Sequence, residues 1–521
     1  MPRITRRQFA QRALGTTSLL LFGVAQRAAP QGASRLTVAM GDEPNTFDIP
    51  FYSTSPLSHS AVGLVEEGLA YIDERGALKP LLAESWGVSG DGLVWTFRLR
   101  RGVRFHDGTP FNAEAAKFTF DRMLAETDPI TGKKALNAFI FSGVTGIRAV
   151  DTYTLQIATK AKYAPMVRNI AYGGGVGIAS PTAVKKLGTS YGLHPVGTGP
   201  YRLTEWAKGE RIVLGRNGEY WGGGGGVDTI TFRIIPDASA RTLGLMSGDY
   251  DVIGDVPPEQ VAQLRRARAL GVIAQPINRM IWLIPNVRNS SPLSKPPVRR
   301  AVNLAINRET LVKDALYGFA RPADTVLSPL TPGYAAVGRY PYNPADAKKL
   351  LAQAGYPNGF TVKLVYAPYV PQSQLVSETV QGYLQQIGVR VELTHLEQAT
   401  YWAAMRDASD KYDLWLFAWG PGNADADTLL TSTFSSTSIP VYNVGASSNP
   451  VLDRLIAQQR STLDPRARAR IIGQVLEQIY NQDLAIPLFN QEALIGLKLS
   501  IKGMWVSPNG TLGLERVTVG S

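Results

Sequence analysis

The stretch FTVKLVYAPYVPQSQLVSETVQGYLQQIGVRVELTH, residues 360–395, decides the fold. Phe360, Val362, Leu364 and Tyr366 share one face at the period of two of a strand, and Leu375, Val376, Thr379, Val380, Tyr383, Leu384 and Ile387 then form a helical stripe closed by Gly388. Residues 389–394 alternate again as a strand. Upstream, Asn343-Pro344-Ala345-Asp346 is a helix start with proline at the first helical position; Ala347, Leu350, Leu351 and Ala354 give that helix its apolar face and Gly355 ends it. Downstream, a helix near 400–408 leads to a strand at 412–419. Strands alternating with helices in this way predict an α/β fold with parallel strands and right-handed crossovers. Open parallel sheets bind ligands in the crevice beyond the carboxyl ends of their strands, which here are 366–371 and 419–427.

Those two segments carry candidate ligand-binding residues. Trp419 and Tyr369 offer stiff apolar walls with a polar tip. Asn423, Asp425 and Asp427 are placed for polar contacts, and the two aspartates suit a ligand ammonium. A plainer account makes Trp419 a core residue and Asp427 the cap of a helix beginning at Thr428. A third crevice loop, GDEPNTFDIPFYSTSP at 41–56, follows the first strand at 36–40. It adds Asn45 and Asp48, which serve equally well as turn formers.

A second informative stretch is VWTFRLRRGVRFHDGTPFNAEAAKFTFDRML, residues 94–124. Trp95, Phe97, Leu99, Val103 and Phe105 alternate with Thr96, Arg98, Arg100 and Arg104, Asp107-Gly108 supplies a turn, and Asn112 caps a helix carrying Ala116, Phe120, Met123 and Leu124 on one face. The run FRLRRGVRFHDGTPFNAE resembles the signature of the extracytoplasmic solute-binding proteins of ABC importers, family 5, the peptide and nickel class. So do HPVGTGPYRLTEW at 194–206, RNGEYW at 216–221, VRRAVNLAINRETLV at 298–312 and IPLFNQEALIG at 486–496.

The resemblance implies a two-lobed periplasmic-binding-protein fold, type II, in the large three-domain variant with discontinuous lobes. Residues 35–60, 190–280 and 485–521 would form the core of lobe I, 61–189 a smaller domain inserted in it, and 281–484 lobe II. It implies a peptide or peptide-like ligand, and an ABC permease and ATPase as partners. Dipeptide- and oligopeptide-binding members place an aspartate where this chain has Gly422, and dipeptide binders an arginine where it has Ala367. The loop WGPGNADADTLLTSTFSS and the tail GMWVSPNGTLGLERV are instead similar to those of glutathione-binding members. Opines, oligosaccharides and chelated nickel are the alternatives within the class.

The N-terminus, 1–34, reads as a twin-arginine signal peptide. Thr5-Arg6-Arg7-Gln8-Phe9 precedes an uncharged stretch at 13–25, and no acidic residue occurs before Asp42. This predicts a periplasmic protein, expected to be a monomer. The chain has 521 residues, 44% of them hydrophobic, and no cysteine, which rules out disulfides, thiolate sites and a lipoprotein anchor. Of the formal charge of +12, Arg3, Arg6, Arg7, Arg12 and Arg27 belong to the leader, and the remainder is diffuse, so no nucleic-acid partner is expected. The four histidines, His59, His106, His194 and His395, form no HExxH pair, and there is no GxSxG elbow and no GxxxxGK[ST] loop. No catalytic residue, metal or cofactor is expected; a periplasmic hydrolase is the alternative from another class. The glycine runs 173–175 and 222–226 read as flexible surface loops.

Overall fold

The computed structural model describes residues 34–520 apart from 53–54, 137, 172–175, 289, 408–410, 421 and 440. The signal-peptide reading and the first glycine run lie outside the described residues.

Strand Phe360–Tyr366 pairs in parallel with Val389–His395 on one side and with Leu414–Trp419 on the other, and helices Ser373–Gln386 and Gln398–Arg406 make the crossovers. Leu414–Trp419 reads LWLFAW without a polar residue because both of its faces are covered. Leu414, Leu416 and Ala418 enter one apolar cluster with Val362 and Leu364, while Trp415 and Phe417 enter the opposite one with Val365. The first strand, Arg35–Met40, lies parallel to Thr229–Ile234 and Val252–Ile253, with helix Ala238–Ser247 between the latter two. Each lobe therefore holds a parallel core of three strands.

Two long antiparallel strands, Leu270–Pro285 and Ile486–Lys498, join these cores into one eleven-stranded sheet. Their pairing slips between Pro276↔Glu492 and Met280↔Asn490, so the first strand carries two residues more than its partner across that interval. The Asn490 amide fills the gap in the ladder by donating to the carbonyls of Ile277 (2.6 Å) and Arg279 (2.9 Å). The Asn278 backbone N–H donates to the Pro508 carbonyl at 2.6 Å. The bulge lies where the chain passes from one lobe to the other.

A separate four-stranded antiparallel sheet is built from Ala83–Val88, Val94–Leu99, Val144–Asp151 and Thr154–Thr159. Here Trp95, Phe97 and Leu99 are buried as their alternation requires, but the strand stops at Leu99. The chain turns at Gly102 (φ 76°), and Val103 and Phe105 reach the core from a loop instead. Asn112 caps helix Ala113–Leu124 by accepting from the Ala115 amide at 3.0 Å.

Trp282 in the joining strand is fully buried, edge-on to Phe417 at 5.0 Å. Trp282→Ala should lower unfolding stability by about 3–5 kcal/mol, read from urea denaturation.

Candidate functional site: the crevice between the lobes

The three parallel strands of lobe I all stop at one buried arginine. The Arg241 guanidinium donates to the carbonyls of Ile235 (2.7 Å), Pro236 (3.0 Å) and Gly254 (3.1 Å), which follow two of those strands, and Gly41 after the third packs against it. Arg241 is thus spent on backbone, and it fixes the rim from which Asp42 and Asp255 emerge. Across the crevice lie the carboxyl ends of lobe II, Tyr366–Tyr369 and the loop after Trp419. The side chain of Arg279, in the bulge, donates to the Tyr369 carbonyl at 2.7 Å.

The loop after Trp419 is held firmly. Asn423 is fully buried; its amide donates to Asn169 Oδ1 of lobe I at 2.6 Å, and its own oxygen accepts from the Asp425 amide. Arg168 donates to the Ala424 carbonyl, Asn509 to that of Gly422, and the Ala164 amide to the Arg460 carbonyl. The lobes are in contact around this loop.

Beneath it is a cavity of about 660 Å³, within the roughly 300–1,000 Å³ usual for small-molecule sites. Gly422 and Ala424 of lobe II meet walls from lobe I that include His59, Glu67, Tyr220, Trp505 and Asn509. The second glycine run, 222–226, lines the same cavity and is largely exposed. Glu67 accepts from Tyr220 (2.6 Å), Trp221 (2.8 Å) and Thr198 (2.8 Å), yet burial pushes its carboxyl up to about 7. His59, against Tyr52, has no hydrogen-bond partner for either ring nitrogen among the described residues, and burial pulls it down to about 4.

The seven expected site residues divide into two groups. Trp419 and Tyr369 come together: the Ala418 amide donates to the Tyr369 hydroxyl at 3.1 Å, Tyr369 packs on Tyr401 and Trp402, and half-buried Trp419 stacks on Phe417 and meets Tyr442 edge-on. Asn423 joins them as a cross-lobe contact. The aspartates do not join. Asp425 is clamped by Arg468 at 2.6 and 2.8 Å and caps helix Ala426–Phe434, two residues earlier than the cap expected at Asp427. Asp427 holds Arg460 at 3.0 Å and also accepts from Gln459. The cation expected from a ligand is supplied to both by lobe II itself.

Asp48 is likewise buried against Arg122, at 2.7 and 3.0 Å, and Arg122 also binds Asp128. Exposed Asn45 donates to the Phe51 carbonyl at 2.9 Å, which is the turn-forming role. Sequence reading missed Asp255 and Arg279. Asp255 lies two residues beyond strand Val252–Ile253, and Arg279 is the one charge within the apolar strand LGVIAQPINRMIWLIP.

Two lobes closing on a cavity through a shared pair of strands define a solute-binding protein. Residues 77–440 match the family described as bacterial extracellular solute-binding proteins, family 5 Middle, and the chain belongs to that family. It is 31% identical over 513 residues to the glutathione-binding protein GsiB of Escherichia coli O1:K1, covering 97% of this chain and 99% of that one. Among solved structures it is similar to the periplasmic binding protein DppA of Helicobacter pylori in complex with the peptide STSA, with a TM-score of 0.79, 26% identity, and 94% and 98% of the two chains covered. HbpA2 of Haemophilus parasuis superposes with a TM-score of 0.84 at 24% identity, covering 94% and 100%.

Breaking the Asp425 pair with Arg468→Met strands a buried carboxylate and should cost about 3–5 kcal/mol of stability, measured by chemical denaturation. His59 sets a pH dependence. Because the fold holds it neutral down to about 4, its contribution is present above the unfolded value of about 6.5 and is lost as pH falls from there through about 4. Denaturation curves at neutral and acid pH should therefore show a smaller acid loss for His59→Phe than for the wild type, the difference being about 3 kcal/mol.

Proposed function

We propose that this chain is the periplasmic solute-binding component of an ABC importer, capturing a small peptide or peptide-like solute, glutathione-like or oligopeptide, for delivery to a membrane permease with its ATPase. The family match and the relative named glutathione-binding support the class of solute. The observation that carries the reading is the cavity of about 660 Å³ closed by Gly422 and Ala424 of lobe II over lobe I. Gly422 and Ala367 leave the usual peptide anchors absent, so the solute is held by other groups; Trp419 and Tyr369 stand outside the lining of that cavity and would serve as apolar walls of the crevice at the carboxyl ends of the lobe II strands.

The mechanism is clamshell closure. A solute that touches both lobes favours the closed form, and moving a population from 1:99 to 99:1 takes about 5.5 kcal/mol of preferential binding. The protein is exported by the twin-arginine route, works as a monomer, and releases its solute chemically unchanged.

A thermal-shift panel of glutathione, di- to pentapeptides, opines, oligosaccharides and nickel–histidine tests this reading. Glutathione or a peptide should stabilise the mature protein by about 2.7 kcal/mol at a hundredfold excess over its dissociation constant, and Trp419→Ala should weaken that ligand at least about tenfold, or 1.4 kcal/mol. Stabilisation by a sugar alone would replace the substrate class, and turnover of an ester or amide would make the protein a hydrolase.

A further inference from the structure

The wall of the cavity beneath the 419–424 loop holds polar atoms that the fold leaves over. His59 lines it and is 4% exposed, and neither of its ring nitrogens has a hydrogen-bond partner among the described residues. Thr511 lines it too, and its hydroxyl oxygen is buried without a partner among the same residues. Folded proteins pair nearly all such atoms, so two unpaired groups in one cavity wall call for a reason. Burial pulls His59 down to about 4, so at neutral pH its ring is uncharged and presents one N–H donor and one bare nitrogen acceptor. The threonine hydroxyl can also give and take a hydrogen bond.

Both groups are held in place by their own elements. His59 stands on helix Pro56–Gly63, its ring edge-on to Tyr52 at 4.9 Å. Thr511 closes the turn between strands Trp505–Val506 and Leu512–Gly513: its amide donates to Ser507 Oγ at 3.0 Å and its carbonyl accepts from the Ser507 amide at 2.9 Å. The Leu512 amide donates to Ser60 Oγ at 2.8 Å and ties that turn to the helix. His59 and Thr511 each precede one partner of this bond, so the two unpaired groups belong to one part of the wall.

The space over the imidazole is kept clear by a glycine. Residues four apart share a helix face, and the residue four after His59 is Gly63, which lines the cavity as well. A Cβ added there would find His59 Nε2 at 3.9 Å, an ordinary contact distance, as its nearest neighbour. The charged groups of the wall are occupied elsewhere: Glu67 accepts from three side chains, Glu515 accepts from Trp505 Nε1 at 2.9 Å, and Arg516 is exposed to solvent. What the buried wall offers a solute is therefore aromatic surface and uncharged hydrogen bonds.

We propose that His59 and Thr511 hold the solute by its uncharged amide groups, an amide N–H on the bare imidazole nitrogen and an amide carbonyl on the threonine hydroxyl. This rests on the reading of the cavity as the solute site and adds which part of the solute that site recognises. A buried site built to hydrogen-bond one group rejects an analogue that lacks it, because its own polar atoms are then left unpaired.

The test uses the mature protein and its His59→Phe, His59→Gln, Gly63→Ala and Thr511→Val variants. The probes are glutathione and Ala-Ala-Ala, each also made with one amide link at a time replaced by an ester, and affinities come from titration calorimetry. In the wild type, the ester at the recognised link should cost at least about tenfold, which is 1.4 kcal/mol. His59→Phe should bind amide and ester alike, and His59→Gln, which keeps a neutral donor and acceptor, should restore the preference for the amide. Thr511→Val should weaken the amide probe at least about tenfold. So should Gly63→Ala, by covering Nε2, while its melting temperature without ligand is unchanged or higher because alanine favours a helix over glycine. With only four histidines in the chain, 15N-histidine labelling should show the ring signal that is missing from His59→Gln move when the probe is added.

The proposal is overturned if amide and ester probes bind the wild type equally, if His59→Phe keeps the wild-type preference, or if Gly63→Ala binds as the wild type does; in each case solute capture stands and the amide contact does not. If the wild type binds neither glutathione nor the tripeptide, the cavity is not a peptide site and both readings fall.

Discussion

The antiparallel ladder between Leu270–Pro285 and Ile486–Lys498 is the constraint from which the rest of the molecule follows. It is the seam of the eleven-stranded sheet, so both lobes inherit their orientation from it, and the carboxyl ends of the two parallel cores meet at the same crevice. A single uninterrupted ladder would make a stiff plate. The two extra residues between Pro276 and Met280 break it at one place, and Asn490 replaces backbone bonds with side-chain bonds there. Bulges increase local twist and re-aim side chains. In this chain the re-aimed side chain is Arg279, which reaches the Tyr369 carbonyl at 2.7 Å.

The electrostatics divide by depth. Deep in each lobe, arginine–carboxylate pairs such as Arg122 with Asp48 and Asp128, and Arg468 with Asp425, are saturated, and a buried ion pair of this kind is costly to break from one side. They position loops. At the crevice, by contrast, Arg279 donates to a single carbonyl, that of Tyr369, and the exposed Asp255 carboxylate accepts no hydrogen bond among the described residues.

Lobe II was legible because its strands and helices announce themselves by period: Asn343 caps its helix, Gly355 and Gly388 adopt positive φ after theirs, and the strand at 360–366 falls where alternation put it. The crevice was legible too, since strand topology alone locates it. The individual polar contacts were not. A sequence shows that Asp425 and Asp427 lie at a strand end, but their partners Arg468 and Arg460 come from helices about 33 to 43 residues on, and nothing local reports that pairing. Asp255 and Arg279 were hidden as well, because the strand order that brings their segments to the crevice is a property of the assembled sheet that no spacing rule encodes.

The bonds that clasp the lobes have a consequence of their own. Around the 419–424 loop, Asn423 to Asn169, Asn509 to Gly422 and Ala164 to Arg460 join neutral groups and Arg168 reaches a peptide carbonyl, whereas elsewhere Gln372 donates to the Glu259 carboxylate and Arg321 pairs with Glu492 at 3.5 Å. Mobile counterions screen pairs of charges far more than they screen dipoles. The grip around that loop therefore answers little to external salinity, and the part that added salt weakens is the outlying pair of Arg321 with Glu492.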